Sequence, residues 1–277
     1  MKCATLMVQT ELGQSNAALL ELTLRLAMRL RAVVAGVAVA QPFQVHIGEG
    51  EHMGEIICED PKTIDQEAQE AESEFRELLS GGSAALDWQI SVTPLPLADR
   101  LAQLASAADY LIIGVDQENY DILSPVRNVL PDDLVVQTGR PVLVVPKHHR
   151  PFDFKCALVA WEETREARRS LADALPILLE MDKVVLLEVA EADDHERAHT
   201  GLQRVADWLR RHGVHAEIQV SVPAGRCAQR ILAVADEVGA DLIIAGAYGH
   251  SRMRERLLGG VSFELLRSSD RCLLISH

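Results

Sequence analysis

Aromatic side chains are scarce, at 4% of 277 residues. So thin a supply leaves little for base-stacking platforms or aromatic cages. Positive charge is also in short supply: 27 Lys+Arg stand against 41 Asp+Glu, a formal charge of −14. That balance repels phosphate backbones, so nucleic acid is not an expected partner. No apolar run approaches the roughly 20 residues that span a bilayer, so no membrane is expected either. Around Met1-Lys2-Cys3-Ala4 the apolar run is too short for a signal peptide. Five cysteines (Cys3, Cys58, Cys156, Cys227, Cys272) are odd in number and form no Cys-x-x-Cys pair. That spacing argues against a disulfide framework and against a structural zinc site. The cytoplasm is the expected compartment.

What is present is enough core for two domains. Hydrophobic residues make up 48% of the chain, and its length suits two units of about 130–150 residues. The chain also repeats itself. Lys2-Cys3-Ala4 is echoed by Lys155-Cys156-Ala157, and Asp109-Tyr110-Leu111-Ile112-Ile113-Gly114 by Asp241-Leu242-Ile243-Ile244-Ala245-Gly246. Arg140-Pro141-Val142-Leu143-Val144-Val145 is echoed by Arg271-Cys272-Leu273-Leu274-Ile275-Ser276. Three echoes in the same order indicate a tandem duplication. The polar segment Lys147-His148-His149-Arg150-Pro151 reads as the linker. Domains over 1–150 and 151–277 are expected.

In the second half, strands at 156–161, 184–190, 215–222, 242–245 and 272–275 alternate with helical periods. Ala167, Leu171, Ala174, Leu175, Ile177 and Leu178 mark the first helix. Helices follow at 194–211, 225–238 and 261–267. The first half has the same order, with an added polar loop at about 41–60. Near-continuous apolar strands separated by helices predict two five-stranded parallel sheets covered on both faces, an α/β fold. Ligands of such sheets bind beyond the carboxyl ends of the strands, where strand order reverses.

At that place lies Gly246-Ala247-Tyr248-Gly249-His250-Ser251-Arg252, continuing to Gly259-Gly260-Val261-Ser262. Its glycines let backbone amides approach a ligand, and the predicted helix after Gly260 offers free N–H groups and a positive dipole end. His250, Arg252, Arg254 and Arg256 add positive charge in an acidic chain. A phosphate chain is the natural guest.

The segment resembles the Gly-x2-Gly-x9-Gly-Ser/Thr signature of universal stress proteins, with Gly246, Gly249 and Gly259 on its three glycines. Gly260 stands where the family has Ser or Thr, and Ser262 brings a hydroxyl two residues on. The strand ending in Glu162 is similar to the family's first strand, whose acidic residue, usually Asp, lies near the adenine. Val189 matches the residue against the base, and Gly225 to Ile231 resembles the start of the third helix. The resemblance spans both halves. It implies a Rossmann-like fold of the adenine nucleotide alpha hydrolase-like kind and ATP as the ligand. Glu162 and Val189 would frame the adenine; Gly246, Gly249, His250, Gly259, Gly260, Val261 and Ser262 would hold ribose and phosphates.

The first half departs from this pattern. After Gly114 comes Val115-Asp116-Gln117-Glu118-Asn119-Tyr120-Asp121, without another glycine until Gly139. Asp116, Glu118, Asp121, Asp132 and Asp133 oppose a triphosphate, and Gln9 stands where the second half has Glu162. This half is expected not to bind nucleotide and to serve as a packing partner. Its carboxylate spacing matches no calcium loop.

Other candidates read as structural. Asp194, His195 and His199 share a helix but lack the Glu of a zinc protease. His212 and His215 suit a helix end, His148 and His149 an exposed linker, and Cys227 a buried thiol. Neither a Gly-x-Ser-x-Gly elbow nor a P-loop occurs, so no catalytic residue is assigned and any ATP hydrolysis should be slow. Two further readings remain open. One is a ligand-free stress scaffold whose strands 141–145 and 272–275 pair into an internal pseudo-dimer, with a homodimer beyond it. The other, an adenylating pyrophosphatase relative, is weakened because Glu162-Glu163-Thr164-Arg165 lacks the glycines of such a loop.

Overall fold

The computed structural model describes residues 3–46, 55–58, 61–80, 86–116, 129–147, 151–223, 225–247 and 260–277. The first half runs β1 (Thr5–Gln9), α1 (Ala17–Leu30), β2 (Val33–Ala40), β3 (Phe43–His46), β4 (Glu55–Cys58) and α2 (Pro61–Leu79). It continues with β5 (Leu86–Val92), α3 (Leu97–Leu104), β6 (Tyr110–Val115), α4 (Pro131–Thr138) and β7 (Val142–Pro146). The second half opens with β8 (Cys156–Ala160), α5 (Arg165–Leu178), β9 (Lys183–Val189), α6 (His195–Arg211) and β10 (Ala216–Ser221). It closes with α7 (Cys227–Val238), β11 (Leu242–Gly246), α8 (Val261–Ser268) and β12 (Cys272–Ser276). Among the described residues no helix is long and apolar enough to cross a membrane.

Ten strands make one sheet in the order β10-β9-β8-β11-β12-β7-β6-β1-β2-β5. Within each half all pairings of this sheet are parallel. The halves meet through the single antiparallel pair β12–β7, with Leu274 opposite Leu143, Leu273 opposite Val144 and Ile275 opposite Val142. Leu143 and Leu274 hold the same place in the two echoes, so the repeat pairs with itself across a local two-fold axis. Hydrophobic strands buried on both faces need helices on both sides. α1, α2, α5 and α6 cover one face through side chains such as Leu26, Phe75, Leu171 and Leu202. α3, α4, α7 and α8 cover the other through Leu101, Leu134, Ile231 and Leu265. Both cores run unbroken from one half into the other. Further ties cross between the halves, among them the Tyr110 hydroxyl donating to the Asp173 carbonyl and the Arg25–Asp153 ion pair.

Two expectations need correction. The segment 41–60 contains an antiparallel hairpin, β3 with β4, rather than loop alone. Four-residue strands are too short for an alternating pattern to stand out from polar surroundings. The second correction concerns the alignment of the repeat. Leu6 lies opposite Tyr110 and Ala157 opposite Leu242, while Asp109 N–H donates to the Thr5 carbonyl and Asp241 N–H to that of Cys156. Thr5 is therefore the counterpart of Cys156, and the matching Lys-Cys-Ala triplets are offset by two residues. It follows that Thr10 takes the place of Trp161 and Glu11, not Gln9, that of Glu162.

The echoed aspartates explain themselves. Asp241 is buried, and its carboxylate accepts from the backbone N–H groups of Asp153 (2.8 Å), Lys155 (3.1 Å) and Cys156 (3.2 Å). Asp109 accepts from those of Ala4 (2.6 Å) and Thr5 (2.9 Å) in a more exposed setting. Asp109 clamps the start of β1 to β6, and Asp241 the start of β8 to β11. Removing an acceptor strands buried donors, at about 1–3 kcal/mol. Asp241→Ala should lower unfolding free energy by about that amount and Asp109→Ala by less, as read from urea denaturation of the two variants.

Candidate functional site

β8 lies between β9 and β11, so the chain leaves it towards one side of the sheet and returns on the other. The carboxyl ends of these strands open into a cavity of about 660 Å3. Glu162, Val189, Gly246, Gly260, Val261 and Ser262 all line it. Gly249, His250 and Gly259, expected in the same site, lie outside the described residues, as do Arg252, Arg254 and Arg256.

Each part has a local cause. Thr164 follows β8 closely and caps α5, its hydroxyl accepting from Ala167 N–H at 3.2 Å. The first turn of α5 then crosses directly over Gly246. A Cβ on that residue would stand 2.5 Å from Ala167 N and 2.6 Å from Glu166 C. Gly246 is thus required by helix packing as well as bordering the cavity. On the opposite side α8 starts at Gly260, which has an extended backbone and no side-chain cap. The amide end of α8 therefore faces the cavity without a competing acceptor from its own cap residue. The Ser262 hydroxyl does not replace the missing family hydroxyl freely. It is buried and donates to the Gly246 carbonyl at 2.9 Å, tying the two ends of the glycine segment together.

The walls are more acidic than the glycines implied. Glu162, Glu163, Glu166, Glu188, Glu191 and Asp194 all border the space, with Arg197 as the facing cation among the described residues. Arg197 is itself bonded to Asp194 at 3.0 Å. Burial pushes the Glu188 carboxyl upward; Arg197 draws it down, and Glu163, Glu162 and Asp194 push it up again, leaving it raised. Burial would likewise raise Glu166, but hydrogen bonds from Arg165 and from its own backbone amide hold it below the usual range. Cys227 also borders the cavity, and burial, then Glu162 and Glu264, pushes its thiol up to about 11. A thiol held protonated is no nucleophile.

Sequence reasoning missed Glu188, Glu191, Arg197 and Cys227 as lining residues. They come from β9, the turn after it, α6 and α7, and only the crossover brings them together. His195, His199, His212 and His215 are exposed. Among the described residues no group of three or more His, Cys, Asp or Glu side chains is arranged to hold a metal ion.

The equivalent place in the first half encloses about 70 Å3. Its space is taken by Glu11, whose carboxylate lies where a Cβ on Gly114 would be 3.7 Å away. Asn16 holds the loop after β1 closed by accepting from Glu11 N–H at 2.7 Å and donating to the Glu11 carbonyl at 3.0 Å. Burial raises the Glu11 carboxyl from 4.5 to about 7; Lys147 lowers it and Asp116 raises it. The folded state then binds more protons than the unfolded one between those values, so stability should fall as pH rises through that window. Glu11→Gln should remove this slope. It should match the parent near pH 4 and exceed it near pH 8 by up to about 3 kcal/mol, measured by urea denaturation across pH.

Residues 159–277 match the model of the universal stress protein family. A universal stress protein of Synechocystis is 22% identical over 175 residues, 63% of this chain and 60% of that protein. The chain thus spans about 60% of that relative's length. The crystal structure of a universal stress protein from Archaeoglobus fulgidus superposes with a TM-score of 0.72 at 16% identity, covering 98% of this chain and 95% of that one. A functionally unknown protein from Pseudomonas aeruginosa gives a TM-score of 0.60 at 15% identity, covering 99% and 92%. Both structures share the fold along the whole chain. The stretch that resembles the universal stress protein family thus lies in the carboxyl-terminal half, whose strand ends form the large cavity.

Proposed function

We propose that the chain is a tandem stress-response protein of two domains, 1–150 and 151–277, and that the second binds an adenine nucleotide such as ATP. The observation that carries this reading is the contrast between the two equivalent sites, about 660 Å3 against about 70 Å3. Nucleotide-sized ligands occupy pockets of roughly 300–1,000 Å3. The adenine would lie between Val189 and Glu162, with phosphates towards Gly246 and the amino end of α8, where the dipole favours anions. Gly249, His250, Gly259, Gly260 and Val261 would complete the phosphate cradle, and Ser262 would brace it through Gly246. Six carboxylates around the cavity oppose a polyanion. The basic run from His250 to Arg256 supplies the compensating charge in the sequence.

Among the described residues no catalytic constellation is assigned around the cavity, so any hydrolysis would be slow. In this reading the first domain binds no nucleotide and the protein works in the cytoplasm. Universal stress proteins have been solved in complex with cAMP and, from Archaeoglobus fulgidus, with dAMP, which makes those nucleotides useful comparison ligands.

The acidic walls favour a second reading, a scaffold without ligand whose work is done by its continuous sheet. Isothermal titration separates the two. One nucleotide site per chain is expected, and Gly249→Val should weaken ATP at least about tenfold by lost amide–phosphate hydrogen bonds while the thermal midpoint stays unchanged. A flat titration at millimolar ATP, together with no nucleotide in native mass spectra of the purified protein, would leave the scaffold.

A further inference from the structure

A second cleft lies on the outer side of the same half, between α5 and α6. It encloses about 370 Å3 and is walled by Trp161, Leu171, Gly201, Arg204, Val205 and Trp208. Trp161 is a party wall, bordering this cleft and the larger cavity alike. The chain has three tryptophans, and two of them converge here.

Three features of these walls find no cause among the described residues. Gly201 sits inside α6, where only proline is a poorer helix former. A Cβ there would meet nothing within 4 Å, and its φ is not positive. Among the described residues no neighbour and no backbone conformation therefore demands a glycine, and its missing side chain leaves that wall of the cleft bare. Trp161 is 6% exposed, and its Nε1–H, itself shielded from solvent, has no acceptor among the described residues. A buried donor left unmet is destabilising. In the first half, Thr10 replaces Trp161, and its hydroxyl accepts from Trp88 Nε1–H at 3.3 Å, so the indole there is satisfied internally. Lastly, Arg204 is exposed at the rim and, among the described residues, makes no ion pair or hydrogen bond, despite the chain's excess of carboxylates. Its neighbour across the cleft, Arg168, is already bonded to Glu163 at 2.8 Å.

We propose that this cleft binds a small aromatic carboxylate, its ring against the two indoles and its acid group on Arg204. The volume falls within the range of small-molecule sites. The Trp161 and Trp208 indoles, with the Leu171 and Val205 side chains, line an apolar slot suited to an aromatic ring. A guanidinium without a partner presents a fork that fits a carboxylate. One such cation, with Glu163 nearby, matches a single negative charge better than a phosphate dianion. The site does not depend on nucleotide binding.

Isothermal titration with 4-phenylbutyrate, and with the neutral 4-phenylbutyramide as control, tests this directly. The acid should bind one site per chain and perturb tryptophan emission; the amide should bind about tenfold more weakly, having lost a charge-assisted hydrogen bond. Arg204→Gln should bring the acid down to the level of the amide. Gly201→Leu should fill the slot and abolish binding of both while raising the thermal midpoint, because leucine is the better helix former. Equal affinity for acid and amide, unaltered binding in either variant, or a flat titration at millimolar acid overturns the proposal. Should Gly201→Leu not fold, the Arg204 comparison decides alone.

Discussion

The antiparallel pairing of β7 with β12 is the constraint on which everything else rests. Val142, Leu143, Val144, Leu273, Leu274 and Ile275 are almost fully buried there. Because equivalent residues meet across the pair, each half supplies what the other lacks at its own edge. An unpaired strand of this composition would be an aggregation site. Joined, the two edges vanish into one sheet, and the helices on either face close two cores that ignore the boundary between repeats. The sheet's remaining edges, β5 and β10, lie far from this seam.

On this nearly symmetric frame the two crevices at the strand ends differ. Both halves carry a glutamate just after the first strand and a glycine at the end of the fourth, Glu11 with Gly114 and Glu162 with Gly246. In the first half the glutamate folds over the glycine, and Asn16 holds the intervening loop tight. In the second, α5 itself lies against Gly246 and leaves the strand ends open. The difference between a filled and an open crevice therefore comes from what covers one glycine. Electrostatics adds a second asymmetry, since the open cavity is ringed by carboxylates, and Glu188 among them is lifted first by burial and then by its acidic neighbours.

Much of the frame was legible in the sequence because strands buried on both faces write continuous apolar runs. β6, β7, β11 and β12 follow the echoed segments closely. The misplacement of Gln9 has an instructive origin. Sliding a strand by two residues keeps its inward and outward faces unchanged, so hydropathy is blind to it, and a chance Lys-Cys-Ala match settled on the wrong alignment. The strand register and the Asp109 and Asp241 hydrogen bonds to Thr5 and Cys156 discriminate. The open cavity's glycines were readable as a motif, whereas its acidic lining was not. Glu188, Asp194 and Arg197 fall in an unremarkable strand end and helix start, and their convergence is a property of the crossover. The double duty of Gly246 was hidden for the same reason, because nothing in its neighbours announces the helix that presses on it.

The two-fold character of the seam has a consequence for how copies of this chain meet. An interface that is its own mirror partner makes no distinction between a strand from the same molecule and the identical strand from another. Two chains that traded halves would rebuild every hydrogen bond of β7 against β12 without inventing a contact. The local supply of a tethered partner is what keeps the exchange in check, so crowding or slow refolding at high concentration would shift the population towards interlocked pairs.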